Sequence, residues 1–341
     1  MAGTRRRTTL ATVAASAGVS VATVSKVLNG RDDVSPTTRA RVQEMLREHD
    51  YAGRLSAIER HPTVELTFRG RIGAYSAEII QGVAGAAHDL GVVVTLSHRM
   101  SHEPATRFGA GQWARDLAVN GRHAVIAVTD ELGHEEITAL ARMRLPLVVI
   151  DPMNLPEPGL TSVGSTNFRG GLAAARHLLG LGHRRIALLG GSVGAECSQA
   201  RLQGFKAALE EAGVACPADY VRHAGDFMYD NALSAAPDLL DLPERPTAVF
   251  ATSDELARGV VEAARTRGLS VPHDLSEVGF DDTEIARMAS PPLTTVRQPL
   301  REMGAVALRT ALRLAAGESI DSDHVELATE LVVRDSTAPP G

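Results

Sequence analysis

Cysteine is nearly absent: Cys197 and Cys216 are the two in 341 residues. That excludes a disulfide framework, and neither stands at a metal-ligand spacing, so a reducing cytoplasm suits the chain. No apolar stretch approaches the roughly eighteen residues that a membrane-spanning helix needs. Lysine is scarce as well: 33 of the basic side chains are Arg and two are Lys, a bias that hints at a GC-rich genome and says nothing of a ligand. Enzyme signatures are also missing. The run Gly190-Gly191-Ser192-Val193-Gly194 has the spacing of neither a phosphate loop nor a dinucleotide fingerprint. The twelve histidines form no zinc-like pair on one helix, and no serine sits in a nucleophile elbow. These absences point away from catalysis, and no metal or cofactor is expected.

Positive charge is lacking overall, with a formal net of -6, until the chain is divided. Residues 1–60 hold ten Lys or Arg against six Asp or Glu, so this segment is net +4 and the remainder is net -10. Phosphate attraction is screened within about 8–10 Å, so a basic head on an acidic body can still bind DNA. The length allows two or three domains with a sizeable core.

The head reads as three short helices. Leu10, Val13, Ala14 and Ala17 recur at helical spacing and Gly18 breaks the run. Ser20 is a suitable N-cap for a second helix whose apolar face is Val21, Val24, Val27 and Leu28, and Asn29-Gly30 is a natural stop. Ser35-Pro36, a cap followed by a first-turn proline, opens a third helix through Val42, Met45 and Leu46 towards Tyr51. Two helices joined by a tight turn and backed by a third match a helix-turn-helix. The same stretch, with Arg5-Arg6-Arg7 ahead of it, also has the outline of a twin-arginine export signal, which would make the chain an exported sugar-binding protein. Thr8, Thr9, Thr12, Ser16, Ser20, Thr23 and Ser25 dilute any apolar core there and argue against it.

Beyond residue 60, short apolar strands at 64–68, 92–96, 124–128, 147–150, 186–189, 247–251 and 277–280 alternate with helical stretches such as 77–90, 170–181, 200–212 and 254–267. Such alternation implies parallel sheets covered by helices, with ligands beyond the carboxyl ends of the strands. The fold class expected is an all-α helix-turn-helix head followed by an α/β core of two Rossmann-like subdomains.

Residues 8–60, with TLATVAASAGVSVATVSKVLNG and VSPTTRARVQEML, resemble the head of the lactose-repressor (LacI) family. The strings LGHRRIALLGG, ARLQGFKAALEEAG, RPTAVFATSDELARGVVEAARTRGLSVPHDL and VGFDD before PPLTTVRQP resemble that family's effector-binding core, whose fold is that of periplasmic sugar-binding proteins. The resemblance implies a sequence-specific regulator, a homodimer or tetramer on operator DNA, released by a small effector of the sugar class, or alternatively responsive to a purine or nucleoside. It places the head at 1–60 and the core at 64–336, with one subdomain at 64–163 plus 293–323, the other at 164–292 plus 324–336, and chain crossings near Val163, Pro292 and Asp323.

By the same resemblance, Val21, Ala22 and Lys26 face base edges in the major groove, while Ser20, Thr23, Ser25 and Asn29 lie nearer phosphates. Thr9 and Arg60 complete the expected DNA-contacting set. Lys26 stands where arginine is more usual, and a lysine point charge does not fork onto guanine. Family members often follow the head's final tyrosine with Pro-Asn and a leucine that wedges into the minor groove; here Ala52-Gly53 follows Tyr51 and Arg60 takes the leucine position. In the core, the effector-contacting positions carried over are Arg201, Phe227, Ser253, Asp281 and Gln298; Tyr75 is added for its ring alone, which could stack on a ligand from the opposite subdomain. An Arg guanidinium can grip two hydroxyls or a carboxylate, a carboxylate accepts from hydroxyls, and Phe or Tyr can stack on a ring. Phe227 as plain core, and Arg201 with Asp281 as an ordinary ion pair, stay open. Ser253 replaces a frequent asparagine, so effector identity does not transfer.

Overall fold

A computed structural model of the chain describes residues 10–28, 34–48, 61–99, 109–130, 132–153 and 159–341. The chain divides into two compact units, Met1–His61 and Pro62–Gly341.

In the first unit, helices α1 (Leu10–Ala17), α2 (Val21–Leu28) and α3 (Pro36–Glu48) enclose a small core of Val13, Ala14, Ala17, Val24, Val27, Val34, Val42 and Leu46. Gly18, at φ 65°, supplies the left-handed turn that lets α2 leave α1 at 98°. The second helix starts where the Ser20 hydroxyl accepts the Thr23 amide at 3.1 Å, and the third where Ser35 accepts the Thr38 amide at 3.2 Å. One expectation is corrected: Val21 does not join the apolar face, because it lies at the exposed start of α2 and is 46% exposed while Val24 and Val27 are buried.

The second unit holds two six-stranded sheets. The first lobe has β1 (Thr63–Arg69), β2 (Val93–Arg99), β3 (Ala124–Val128), β4 (Leu147–Ile150), β5 (Ser162–Ser165) and β11 (His324–Leu327), in the order β11-β5-β4-β3-β1-β2 and parallel throughout. Helices α4 (Ala74–Leu90) and α13 (Leu300–Ala315) cover one face through Ile79, Val83, Met303 and Leu308, and α5 (Ala110–Val119) and α6 (His134–Arg142) cover the other. The second lobe has β6 (Ile186–Gly190), β7 (Val221–His223), β8 (Ala248–Ala251), β9 (Ser276–Asp281), β10 (Thr294–Arg297) and β12 (Glu330–Val332), in the order β12-β10-β9-β8-β6-β7, with β12 alone antiparallel to its neighbour. Helices α7 (Asn167–Gly180) and α8 (Glu196–Glu211) pack on one face around Phe205, Phe250 and Phe280. Helices α9 (Tyr229–Ala235), α10 (Pro237–Leu240), α11 (Asp254–Arg265) and α12 (Glu284–Met288) lie on the other.

The lobe boundaries fall a few residues later than expected. Val163 pairs with Ile150 inside the first sheet, residues 294–297 pair with β9 in the second sheet, and residues 324–327 pair with β5 in the first. Each crossing strand completes its ladder before leaving, so the chain crosses after Ser165, after Arg297 and after Leu327.

Helices α7 and α8 touch backbone to backbone. A Cβ on Gly204 would lie 2.0 Å from the Phe168 carbonyl oxygen, and one on Gly171 would lie 2.1 Å from that of Arg201. Only glycine permits this approach, which sets the depth at which Arg201 enters the space between the lobes.

Candidate nucleic-acid interface and effector cleft

The head presents Ser20, Val21, Ala22 and Lys26 as exposed side chains and Thr23 and Ser25 as half-buried ones. Ser20 spends its hydroxyl on capping α2 and on Thr23, with Oγ to Oγ1 at 2.9 Å. The exposed residues stand at the amino end and along the outer face of α2, the geometry with which a recognition helix presents side chains to a groove. Thr9, Asn29 and Arg60, with the whole linker from Tyr51, lie outside the described residues.

The cleft of the second unit is built at the carboxyl ends of strands, as the doubly wound topology dictates. Arg201, in the second turn of α8, is 3% exposed. Its Nε donates to Asn167 Oδ1 at 2.8 Å and its Nη1 to the Thr252 carbonyl at 2.6 Å, and the guanidinium carbon lies 3.7 Å from the centroid of the Phe280 ring. Nη1 is 3.9 Å from Asp281 Oδ1. The two residues are therefore at the edge of ion-pair distance, but their short bonds go elsewhere. Asp281 ends β9 at φ 111°, a left-handed conformation that costs a non-glycine residue energy and is held by the surroundings. Its Oδ1 accepts from Gln298 Nε2 at 2.6 Å, while Gln298 Oε1 accepts from Ser165 Oγ of the other lobe at 2.6 Å. Gln298 thus ties the two lobes together at the floor of the cleft.

From the first lobe, Tyr75 in the first turn of α4 donates its hydroxyl to Asp151 Oδ2 at 2.7 Å. Asp151, just past β4, is 3% exposed with φ 43°. Burial pushes the carboxyls of Asp151 and Asp281 above the usual range, against the pull of Arg201 on both. Asp254, the first residue of α11, is pushed up to about 7 by burial despite hydrogen bonds from Thr295 and Thr283. Cys197, one turn before Arg201, is pushed up to about 11 by burial, so its thiol stays protonated.

Two expected contacts look different in place. Phe227 reaches the cleft, with its ring 6.0 Å from the Arg201 guanidinium and packed so closely on Gly191 that a Cβ there would lie 2.5 Å from the ring. Ser253 is brought beside these groups but is 3% exposed, and its hydroxyl is committed: it donates to the Phe227 carbonyl at 2.9 Å and accepts the Leu256 amide at 3.1 Å, capping α11. Its position organises the wall rather than presenting a free hydroxyl. Asp151, Asn167 and Thr252 were missed from sequence. Asp151 and Thr252 each follow an apolar strand run, so the strand-end rule could have singled them out; Asn167 opens a helix and carried no such signal.

Residues 9–53 match the profile of bacterial regulatory proteins of the lacI family, and residues 175–337 that of a periplasmic binding protein-like domain. The HTH-type transcriptional regulator DegA of Bacillus subtilis is 35% identical over 98% of this chain and 99% of its own length. The chain belongs to the LacI family. It is a helix-turn-helix transcriptional regulator in a family of regulators rather than enzymes, and the match to 9–53 displaces the export-signal alternative for that stretch. No single helix among the described residues is long and apolar enough to cross a membrane. Among solved structures, the transcriptional regulator CelR–cellobiose complex matches with a TM-score of 0.73 at 32% identity, covering 97% of this chain and all of that one. The lac repressor dimer bound to operator and the anti-inducer ONPF matches with a TM-score of 0.74 at 26% identity, over 98% of this chain and all of that one.

Proposed function

We propose that this regulator is a cytoplasmic homodimeric repressor that leaves its operator when a small sugar binds between its two lobes. The observation that carries the reading is the set of buried Arg201, Asp281, Gln298 and Asp151 with half-buried Tyr75, drawn from both lobes to one place at the carboxyl ends of the strands. A planar cation, two carboxyls and an amide, all buried, suit a ligand rich in hydroxyls, since each hydroxyl can donate to a carboxyl while accepting from Arg or Gln. Phe227 offers a ring face beside them. The cellobiose complex of CelR supports a sugar over a purine.

At the other end, Val21, Ala22 and Lys26 read base edges, with Thr9, Ser20, Thr23, Ser25 and Asn29 nearer the backbone, and Arg60 follows the minor groove. Effector binding alters the relative orientation of the lobes, and the coupling is reciprocal: the sugar weakens operator binding by the factor by which operator weakens sugar binding. A thermal-shift screen of mono- and disaccharides against nucleobases tests the class, because a ligand at a hundred times its dissociation constant stabilises by about 2.7 kcal/mol. A shift with nucleobases and none with sugars would replace this reading.

A further inference from the structure

Helix α4 starts without a cap of its own. Its N-cap residue is Gly73, and no side chain of its own segment accepts the first amides. The missing acceptor comes from the opposite lobe: Glu255, second residue of α11, takes the Ala74 amide on Oε1 at 3.3 Å. Its other oxygen lies 3.5 Å from the Tyr229 amide at the start of α9. A Cβ on Gly73 would sit 2.3 Å from Glu255 Oε1 and 3.3 Å from Met228 Cε, so a side chain there would press on the carboxylate and force it to shift. Alongside, Arg71 Nη1 pairs with Asp230 Oδ2 at 2.9 Å, again from one lobe to the other. The positive ends of two helix dipoles, that of α4 and that of α11 itself, face one carboxylate.

We propose that Glu255 is a positioning residue that clamps the lobes closed: by capping α4 across the cleft it fixes the first turn of the helix that carries Tyr75, the neighbour of Ala74. Opening the lobes strips α4 of its cap, so closure and the order of Tyr75 form one event. The relevance to ligand response rests on the cleft being the effector site, but the clamp itself is tested without any ligand.

The test is a lobe-to-lobe distance in the full chain. Spin labels go on Glu135→Cys in α6 and Glu210→Cys in α8, both exposed in the parent, in a Cys216→Ser background; buried Cys197 stays unlabelled. Labelled chains are diluted with unlabelled ones, and distances are read by pulsed electron resonance. Glu255→Ala should move the main distance to longer values, and Glu255→Gln, which keeps an acceptor oxygen, should restore part of the short-distance population. Gly73→Ala should lengthen the distance too, yet add little in the Glu255→Ala background, where the oxygen it would strike is gone and the Met228 methyl, 3.3 Å from the new Cβ, is left to give way. Coincident distances for the parent and Glu255→Ala with only a lower Tm would assign Glu255 a role inside its own lobe and overturn the clamp. So would a full added effect of Gly73→Ala on top of Glu255→Ala. Cellobiose is then added as the probe: failure to restore closure in Glu255→Gln counts against the effector reading, while the sugar-free distances decide the clamp.

Discussion

Glu277 makes folding pH-dependent in a way that can be worked from its position. It lies in the central strand β9, where Val278 and Phe280 point towards α7 and α8, so alternation turns Glu277 towards the opposite core of Val249, Ala257 and Val260. It is 0% exposed, and neither carboxyl oxygen makes a hydrogen bond of full geometry; the Ala251 backbone amide is the donor that reaches it, weakly. Burial pushes its carboxyl well above the ordinary 4.5. The folded state therefore holds a proton that the unfolded chain releases. Stability is complete below about pH 4.5 and falls as pH rises, by roughly 1.4 kcal/mol per pH unit, until the folded carboxyl ionises. At pH 7 the loss reaches at most about 3.5 kcal/mol by that slope, on top of about 1–3 kcal/mol for a buried polar group whose hydrogen bonding is incomplete. Glu277→Gln removes the titration and keeps a polar group; Glu277→Met removes both. Urea unfolding of parent and variants at pH 5 and pH 8 reads the difference, and the slopes of the other buried acids cancel between them. The reasoning predicts that Glu277→Gln gains on the parent between the two pH values and that Glu277→Met is the most stable at both. An equal gap at pH 5 and pH 8, or a destabilised Glu277→Met, would refute it.

Lys26→Ala should weaken operator binding by about 1–3 kcal/mol while binding to random DNA falls much less, as salt titrations on both would register. Equal losses would make Lys26 a phosphate contact. Gly204→Ala drives a methyl against the Phe168 carbonyl and should destabilise by about 1–3 kcal/mol, seen as a lower Tm, because helices α7 and α8 must part; an unchanged Tm would show that they have room to shift.

The parts of the fold legible in the sequence are those where one residue forces the backbone or a long apolar run is buried on both faces. Ser20, Ser35 and Gly18 mark the head's helix ends by capping and by a positive φ. The runs 124–128 and 147–150 are central strands buried between helix layers. What escaped is short or marginal: β5, Ser162–Ser165, has a glycine and two serines, and β11 and β12 are short edge strands with no fully buried residue. Their loss moved the lobe boundaries. Arg201, Asp281 and Gln298 lie in strings that carry the resemblance, Phe227 was carried over with them and Tyr75 was singled out by its ring; the fold brings these five side chains near one another, and their contact with an effector stays a proposal. The use of Asp151 as the partner of Tyr75 and of Glu255 as a cap in trans depends on contacts between residues 76 and 181 positions apart, which no local pattern encodes.

A sugar held by Arg201 and Asp281 is expected to control operator binding, and fluorescence anisotropy of labelled operator with the full chain reads that control. A sugar that shifts the parent's melting should release the parent from operator. Arg201→Ala and Asp281→Ala should bind operator nearly as the parent does and need about 10- to 100-fold more of that sugar for release, since a charge-assisted hydrogen bond is worth about 1.5–3 kcal/mol and each 1.4 kcal/mol is tenfold. Folded, operator-bound variants released at the parent's sugar concentration would contradict the account.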